Sequence, residues 1–327
     1  RDRDVTGVQT CALPISVVQK GKILGFVPKR HIPNYRDFYE LRWFSSSEEL
    51  NESHFSFFGE EIPISDNILF EDKDSDLRIA VSVCEDLWVP NTPSIQHAQR
   101  GANLILNLST SNEFVGKKEV RRQLVNMRSY TEKCGYVYAS SGSDESTSDV
   151  IYSGHCIIAE NGKTLDANRF ADKGPFAIAD VDYEMLQLSR LRTNSFENID
   201  MDYIQVPFER DERERALQKK YSPYPFLPEI GKEEEYYSEV LRLQSTAYMQ
   251  RMKKTGIHRS HIGISGGLDS TWALIVTLHA HELLGTPKEN IRCITMPGLG
   301  TSEGSLNSAH RICSPFGLEI RAISITE

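Results

Sequence analysis

A change of hydrophobic period around residue 265 narrows the fold more than anything else in the sequence. The apolar run His261-Ile262-Gly263-Ile264 reads as a strand and passes straight into Ser265-Gly266-Gly267-Leu268-Asp269-Ser270. A helical pattern follows from Thr271 to about Leu284, then a second apolar run from Ile291 to Met296. Strand, glycine turn, helix and strand in this order predict a crossover between parallel strands, and so an α/β fold. Paired glycines let the backbone close around an anion, while the helix N-terminus and the Ser265 and Ser270 hydroxyls supply donors. The segment is therefore a candidate phosphate cradle. It is not a Walker A loop, because the lysine of GxxxxGK[ST] is missing.

The first half of the chain repeats the strand signal. Leu77, Ile79, Val81 and Val83 alternate into Cys84; Ala102, Leu104, Leu106 and Leu108 do the same before Ser109-Thr110-Ser111; Tyr136-Val137-Tyr138-Ala139 runs into Ser140-Ser141-Gly142. Between the last two, Val120, Leu124, Met127 and Cys134 recur at about turn spacing and predict a helix stopped by Gly135. Cys156-Ile157-Ile158-Ala159 ahead of Asn161-Gly162 predicts a tight hairpin.

At 327 residues with 39% hydrophobic side chains, two domains are expected. Prolines at 207, 223, 225 and 228 among charges mark a linker over 207–232, between a first domain at 17–206 and a second at 233–327. The second opens on a helix from Glu233, with Tyr236, Tyr237, Val240, Leu241, Leu243, Tyr248, Met249 and Met252 mostly on one side. Residues 1–16 lack an initiator Met and a clear period, and are read as a non-native leader. A strand over Leu318 to Ile325 lies close to the last residue, so the chain is expected to be truncated at both ends.

The balance of 37 Lys+Arg against 46 Asp+Glu, a formal −9, argues against a nucleic-acid or anionic-membrane footprint. Six cysteines without CxxC pairs argue against zinc and against a secreted disulfide scaffold. No apolar run approaches the ~20 residues needed to cross a bilayer. A cytoplasmic protein is expected.

Cys84 closes a hydrophobic strand and is followed by Glu85-Asp86-Leu87-Trp88. A cysteine at a strand-to-helix turn can project its sulfur into a cleft, where backbone N–H groups lower its pKa and stabilise an oxyanion. On its own such a cysteine is more often a core residue. Upstream stand Gly25-Phe26-Val27-Pro28-Lys29-Arg30-His31-Ile32-Pro33-Asn34-Tyr35 and Phe38-Tyr39-Glu40-Leu41-Arg42-Trp43-Phe44. Together these segments resemble the nitrilase superfamily, whose members use a Glu, a Lys and a Cys, and more narrowly the glutaminase domain of glutamine-dependent NAD synthetases. The likeness continues through Asn107 to Ser111, Gly116-Lys117 and Gly142 to Thr147, covering residues 17 to 205.

That resemblance implies that Cys84 is the nucleophile and that Lys29 stabilises the oxyanion. It implies that Tyr35, Glu85, Ser111 and Lys117 bind glutamine, with Glu85 suited to the α-amino group and Lys117 to the carboxylate. Ser111 as a helix cap and Lys117 as a surface charge are the bland alternatives. The family's general base is a glutamate upstream of the lysine, a position that neither Glu40 nor Glu85 fills, so a poor glutaminase is expected. The histidines, Trp43 and Trp88 need only structural roles.

The hexapeptide Ser265, Gly266, Gly267, Leu268, Asp269, Ser270 resembles the SGGxDS loop of N-type ATP pyrophosphatases, which adenylate a carbonyl oxygen and let ammonia displace AMP. The resemblance implies ATP at this loop and magnesium at Asp269, whose bland reading is a helix cap. The segment from Met296 to Ala309 is similar to the one after the second strand of NAD synthetases, except that Gly304 stands where a basic residue is common. The joint resemblance implies a partial nitrilase-like α-β-β-α sandwich followed by the start of a Rossmann-like parallel sheet. It further implies glutamine, ATP and nicotinate adenine dinucleotide as substrates of a carbon–nitrogen ligase, with ammonia passed between sites in a homo-oligomer. Two alternatives stay open: an amidohydrolase with a vestigial ATP loop, and a non-catalytic nucleotide-binding remnant.

Overall fold

The computed structural model describes residues 14–145, 149–210 and 216–326. The contacts separate into two compact units that divide between Lys220 and Tyr221.

In the first unit a hairpin of β1 (Pro14–Gln19) and β2 (Lys22–Pro28) is followed by a second hairpin, β3 (His54–Phe57) with β4 (Glu60–Pro63). Next come β5 (Ile68–Asp72), β6 (Arg78–Val83), α1 (Pro93–Gln99), β7 (Leu104–Ser109), α2 (Lys117–Thr131) and β8 (Gly135–Ser140). The unit finishes with β9 (Cys156–Glu160), β10 (Lys163–Asn168), α3 (Tyr183–Leu191) and β11 (Ile204–Phe208). Seven of these strands form one sheet in the order β10-β9-β8-β7-β6-β5-β11, with β6, β7 and β8 mutually parallel.

Both faces of that sheet are covered, which is why its central strands carry apolar residues on both sides, as Ile79-Ala80-Val81 of β6 and Leu104-Ile105-Leu106 of β7 do. Leu69, Ala80, Ile105, Tyr136 and Ile157 point to one face, where Val125 and Leu124 of α2 close the core. Ile68, Phe70, Val81 and Val206 point to the other, where Val27, Ile15, Val17 and Leu24 of the β1–β2 hairpin pack. A helix layer, the large sheet and the hairpin layer thus stack as three consecutive layers. The Asn161-Gly162 turn has φ of 47° and 81°, the pair of positive values a tight two-residue hairpin demands.

Several expectations need correction. Pro14 to Ser16 fall inside β1 and Ile15 packs in the core, so the span read as leader overlaps a strand; Cys11 and the rest of residues 1–13 lie outside the described residues. Pro207 and Phe208, assigned to the linker, belong to β11, paired in parallel with β5. Pro207 is tolerated there because β11 is an edge strand. α2 stops at Thr131, and Gly135 opens β8 instead of closing the helix. Val120 and Met127 are exposed, and the buried stripe of α2 is Lys117, Arg121, Val125 and Ser129. An apolar pattern misplaces this helix because its inner face serves a polar site.

The second unit begins with α4 (Glu233–Thr255), then β12 (Ser260–Gly263), α5 (Leu268–Leu284), β13 (Ile291–Thr295), α6 (Glu303–Cys313) and β14 (Ile320–Ala322). The three strands are parallel in the order β12-β13-β14, over a core of Ile264, Leu274, Ile291, Cys293, Ala309, Cys313 and Leu318. The sequence-predicted crossover is therefore present, although the last strand is shorter than Leu318 to Ile325. On α4 only Ser245 and Met252 are buried, and Tyr236, Tyr237 and Leu243 remain exposed. No described helix is long and apolar enough to cross a membrane.

Candidate active site

β6 delivers Cys84 to the carboxyl end of the parallel strands, where ligands of open α/β sheets commonly bind. Cys84 starts a short 3-10 turn, Cys84–Leu87, with φ at +48°. A left-handed conformation at a residue with a Cβ is strained by roughly 1–3 kcal/mol and persists only where surrounding structure enforces it. The sulfur lies beside Ser109 and the Thr110 N–H, at the end of neighbouring β7. Burial holds the thiol above its ordinary value; Lys29, the Thr110 N–H and Ser109 pull it down without outweighing burial, and Glu40 opposes them.

Lys29 follows β2 and is only 2% exposed, so its ammonium requires a partner. That partner is Glu40, on the 3-10 turn Glu40–Arg42, which accepts a hydrogen bond from Nζ. Motif reading passed over Glu40. Its position eleven residues after Lys29, in the aromatic stretch from Tyr35 to Trp43, was the available signal.

Cys84, Glu85, Tyr35, Ser111 and Lys117 all line one pocket of about 180 Å³, together with Arg36, Asp37, Phe38, Trp88, Asn112 and Phe114. The Tyr35 hydroxyl lies 2.9 and 3.1 Å from the two oxygens of Glu85. Burial and that carboxylate push the Tyr35 phenol up to about 12, which keeps it a donor. Burial likewise raises the Glu85 carboxyl. Lys117 is buried at the first position of α2; it donates to Asn112 Oδ1 at 2.6 Å and lies over the rings of Trp88 and Phe114 at 5.4 and 5.1 Å. Burial and the nearby Arg121 lower it to about 8. Trp88 therefore contributes to the pocket wall rather than to packing alone.

Ser111 is buried and caps no helix. Its Oγ accepts from Arg121 Nη2 at 3.2 Å. Arg121 is fully buried, with Glu113 Oε1 at 2.5 Å and His155 Nδ1 at 2.9 Å. Glu113 also accepts from Ser153 at 2.7 Å and Arg169 at 3.0 Å. This network braces the pocket from behind and went unseen in the sequence, because its members lie up to 56 residues apart. Thr147, the last residue of the matched Gly142 segment, lies outside the described residues.

In the second unit, Ser265 to Ser270 link β12 to α5. Ser265 N–H donates to Ser270 Oγ at 3.3 Å, Gly267 N–H donates to Ser265 Oγ at 3.4 Å, and the Ser270 hydroxyl donates to the Gly267 carbonyl at 3.0 Å. Gly266 has φ +87°, and a Cβ there would meet the Ser305 carbonyl at 2.8 Å, so only glycine fits without a shift. Gly267 caps α5 without a capping side chain, so no N-cap side chain accepts from the first-turn N–H groups. Asp269 sits in that first turn and makes no cap; Leu268 is 88% exposed and anchors no core. Among the described residues no three His, Cys, Asp or Glu side chains converge as a metal site.

The profile of the NAD synthase family matches residues 241–327. The glutamine-dependent NAD(+) synthetase of Mycobacterium bovis is 32% identical over 322 residues, 94% of this chain and 47% of its own length. Over nearly its whole length the chain is therefore similar to glutamine-dependent NAD(+) synthetases. The family member from Thermotoga maritima is 28% identical over 315 residues, 95% of this chain and 49% of that protein. Among solved structures, the glutamine-dependent NAD(+) synthetase from Cytophaga hutchinsonii overlays with a TM-score of 0.42 at 21% identity, across 96% of this chain and 49% of that one. The chain spans about half the length of the curated family members it matches.

Proposed function

We propose that the first unit is the glutaminase centre of a glutamine-dependent NAD synthetase and that the second opens its ATP-binding domain. The observation that carries this reading is the convergence of Cys84, Glu85, Tyr35, Ser111 and Lys117 on one pocket, with buried Lys29 beside the thiol. The Cys84 thiolate attacks the side-chain amide carbon of glutamine, and Lys29 stabilises the oxyanion as it develops. The proton lost by the thiol passes through water to the leaving nitrogen, collapse expels ammonia and leaves a γ-glutamyl thioester, and water cleaves that thioester to glutamate and the free thiol. Glu85 and the Tyr35 hydroxyl face the α-amino end, and Lys117 faces the carboxylate. Glu40 holds Lys29 in place.

In the second unit, the first-turn N–H groups of α5 with the Ser265 and Ser270 hydroxyls hold ATP phosphates. Magnesium typically takes one or two carboxylates plus substrate phosphates, and Asp269 is suited to be such a ligand to a nucleotide-borne ion. Bound there, the ion would neutralise phosphate charge. The product chemistry is amidation of adenylated nicotinate adenine dinucleotide, giving NAD, AMP and pyrophosphate.

The test follows NAD formation by a polypeptide carrying this chain at the full length of its relatives, with glutamine or ammonium as nitrogen source. Cys84→Ala is expected to abolish the glutamine-driven reaction and spare the ammonium-driven one. Absence of NAD from both sources in the wild type would remove the synthetase reading. Glutamine hydrolysis indifferent to ATP and dinucleotide would then bring the amidohydrolase forward.

A further inference from the structure

Lys29 and Cys84 stand on different sheets. Lys29 follows β2 of the two-stranded hairpin, and Cys84 follows β6 of the seven-stranded sheet, with no ladder pairing between β2 and β6. A misplacement of about an ångström between the two residues would lower a rate about 10²-fold. Something must fix the spacing.

Asp86 is placed to do so. Its side chain is 3% exposed. Oδ2 accepts from the Val83 N–H at 3.0 Å, one residue before Cys84. Oδ1 accepts from the His31 N–H at 3.0 Å, two residues after Lys29, and lies 2.9 Å from His31 Nδ1. The two oxygens of one buried carboxylate thus grip the main chain beside each reacting residue. A second tie, from the Tyr35 hydroxyl to Glu85, lies at the exposed mouth of the pocket. Only a carboxylate of this length accepts on both sides at once: an asparagine keeps one accepting oxygen and turns the other into a donor facing an N–H.

We propose that Asp86 is a positioning residue that holds Lys29 and Cys84 at their working separation by bridging the main chain of the two loops that carry them. This rests on the reading of Cys84 and Lys29 as nucleophile and oxyanion cation. Asp86 itself does not touch the sulfur; the titratable groups that face Cys84 are Lys29, Tyr35 and Glu40 from the loops after β2, Glu85 on its own turn, Lys117 at the start of α2, and the phenols of Tyr138 and Tyr152.

The experiment alkylates the 327-residue chain with iodoacetamide across pH and reads Cys84 by peptide mass spectrometry, alongside glutamine hydrolysis and a thermal unfolding curve. In folded Asp86→Asn, Cys84 alkylation at neutral pH is expected to slow on the order of tenfold and its pH midpoint to rise, because a displaced Lys29 favours the thiolate less. Asp86→Glu keeps the charge but not the length of the arm, and is expected to give a smaller shift of the same sign. A folded Asp86→Asn with the wild-type profile overturns the proposal, and if Asp86→Asn does not fold, an unshifted Asp86→Glu overturns it. A wild-type Cys84 no more reactive than a free thiol, with no glutamine hydrolysis, would sink the nucleophile reading and this proposal together. Wild-type reactivity with unshifted variants sinks only the role of Asp86.

Discussion

On the proposed reading, the Cys84 pocket and the Ser265–Ser270 loop solve opposite problems. A thiol must be activated and its oxyanion stabilised, which calls for charges held rigidly out of water. The first unit therefore buries Lys29, Lys117, Arg121 and Glu113 around the pocket. A polyphosphate arrives with its own charge and needs N–H donors it can reach, so the second unit offers an exposed loop of glycines and hydroxyls at a helix N-terminus. One site is made of side chains drawn from distant segments, the other of contiguous backbone.

The sharpest way to break that comparison is to remove one member of the buried network. Glu113→Gln leaves Arg121 without its counter-charge, and removing one partner of a buried pair destabilises by about 3–5 kcal/mol. Urea unfolding of the first unit should show that loss. The pH dependence has a defined sign. Burial pushes the Glu113 carboxyl up, but hydrogen bonds from Arg121 and Ser153 outweigh it, and the net direction is down from 4.5. The carboxylate's stabilisation is present above 4.5 and fades as pH falls through the lower folded value. The Gln variant should lack this acid-side slope, and a wild type of equal slope would count against the network.

Lys29→Met should lower glutamine hydrolysis by about 10²–10³-fold, the scale for losing one oxyanion donor. ATP binding by the second unit should be unchanged. Gly266→Ala is the converse. It places a Cβ 2.8 Å from the Ser305 carbonyl at a φ of +87°, so the loop must shift. Nucleotide affinity, measured by calorimetry, is expected to fall about tenfold, roughly 1.4 kcal/mol, with Cys84 alkylation unaffected. An effect of either variant on the other site's readout would show that the two are not independent.

The same contrast explains what could be read from the sequence. The strand, turn and helix around Ser265 to Ser270 were legible because they lie side by side, and local residue types dictate local backbone. The Asn161-Gly162 hairpin was legible for the same reason. Cys84, Lys29, Tyr35, Glu85, Ser111 and Lys117 were nominated by resemblance, each within a contiguous motif, and the pocket gathers all but Lys29 into its lining. Glu40, Trp88, Asp86 and the Glu113–Arg121 pair were not nominated, because each acts through a partner that only tertiary folding brings near. The buried face of α2 shows the cost of reading by hydrophobic period: Lys117 and Arg121 point inward and Val120 and Met127 outward, since the helix faces a site rather than only a core.

The smallest expected effect separates the sites by pH. Lys117 is lowered to about 8 by burial, with Arg121 adding to it. Below that value it is an ammonium able to hold a carboxylate; above it the charge is lost. The KM for glutamine should therefore be flat below pH 8 and rise above it, by up to about tenfold per unit if Lys117 alone supplies the contact. Nucleotide affinity at Ser265 to Ser270, which relies on backbone donors, should stay flat over the same range. Lys117→Arg keeps a charge that does not titrate below pH 12, so it should remove the rise in KM. If KM rises equally in both proteins, the titrating group is the amino group of glutamine, and Lys117 does not read its carboxylate.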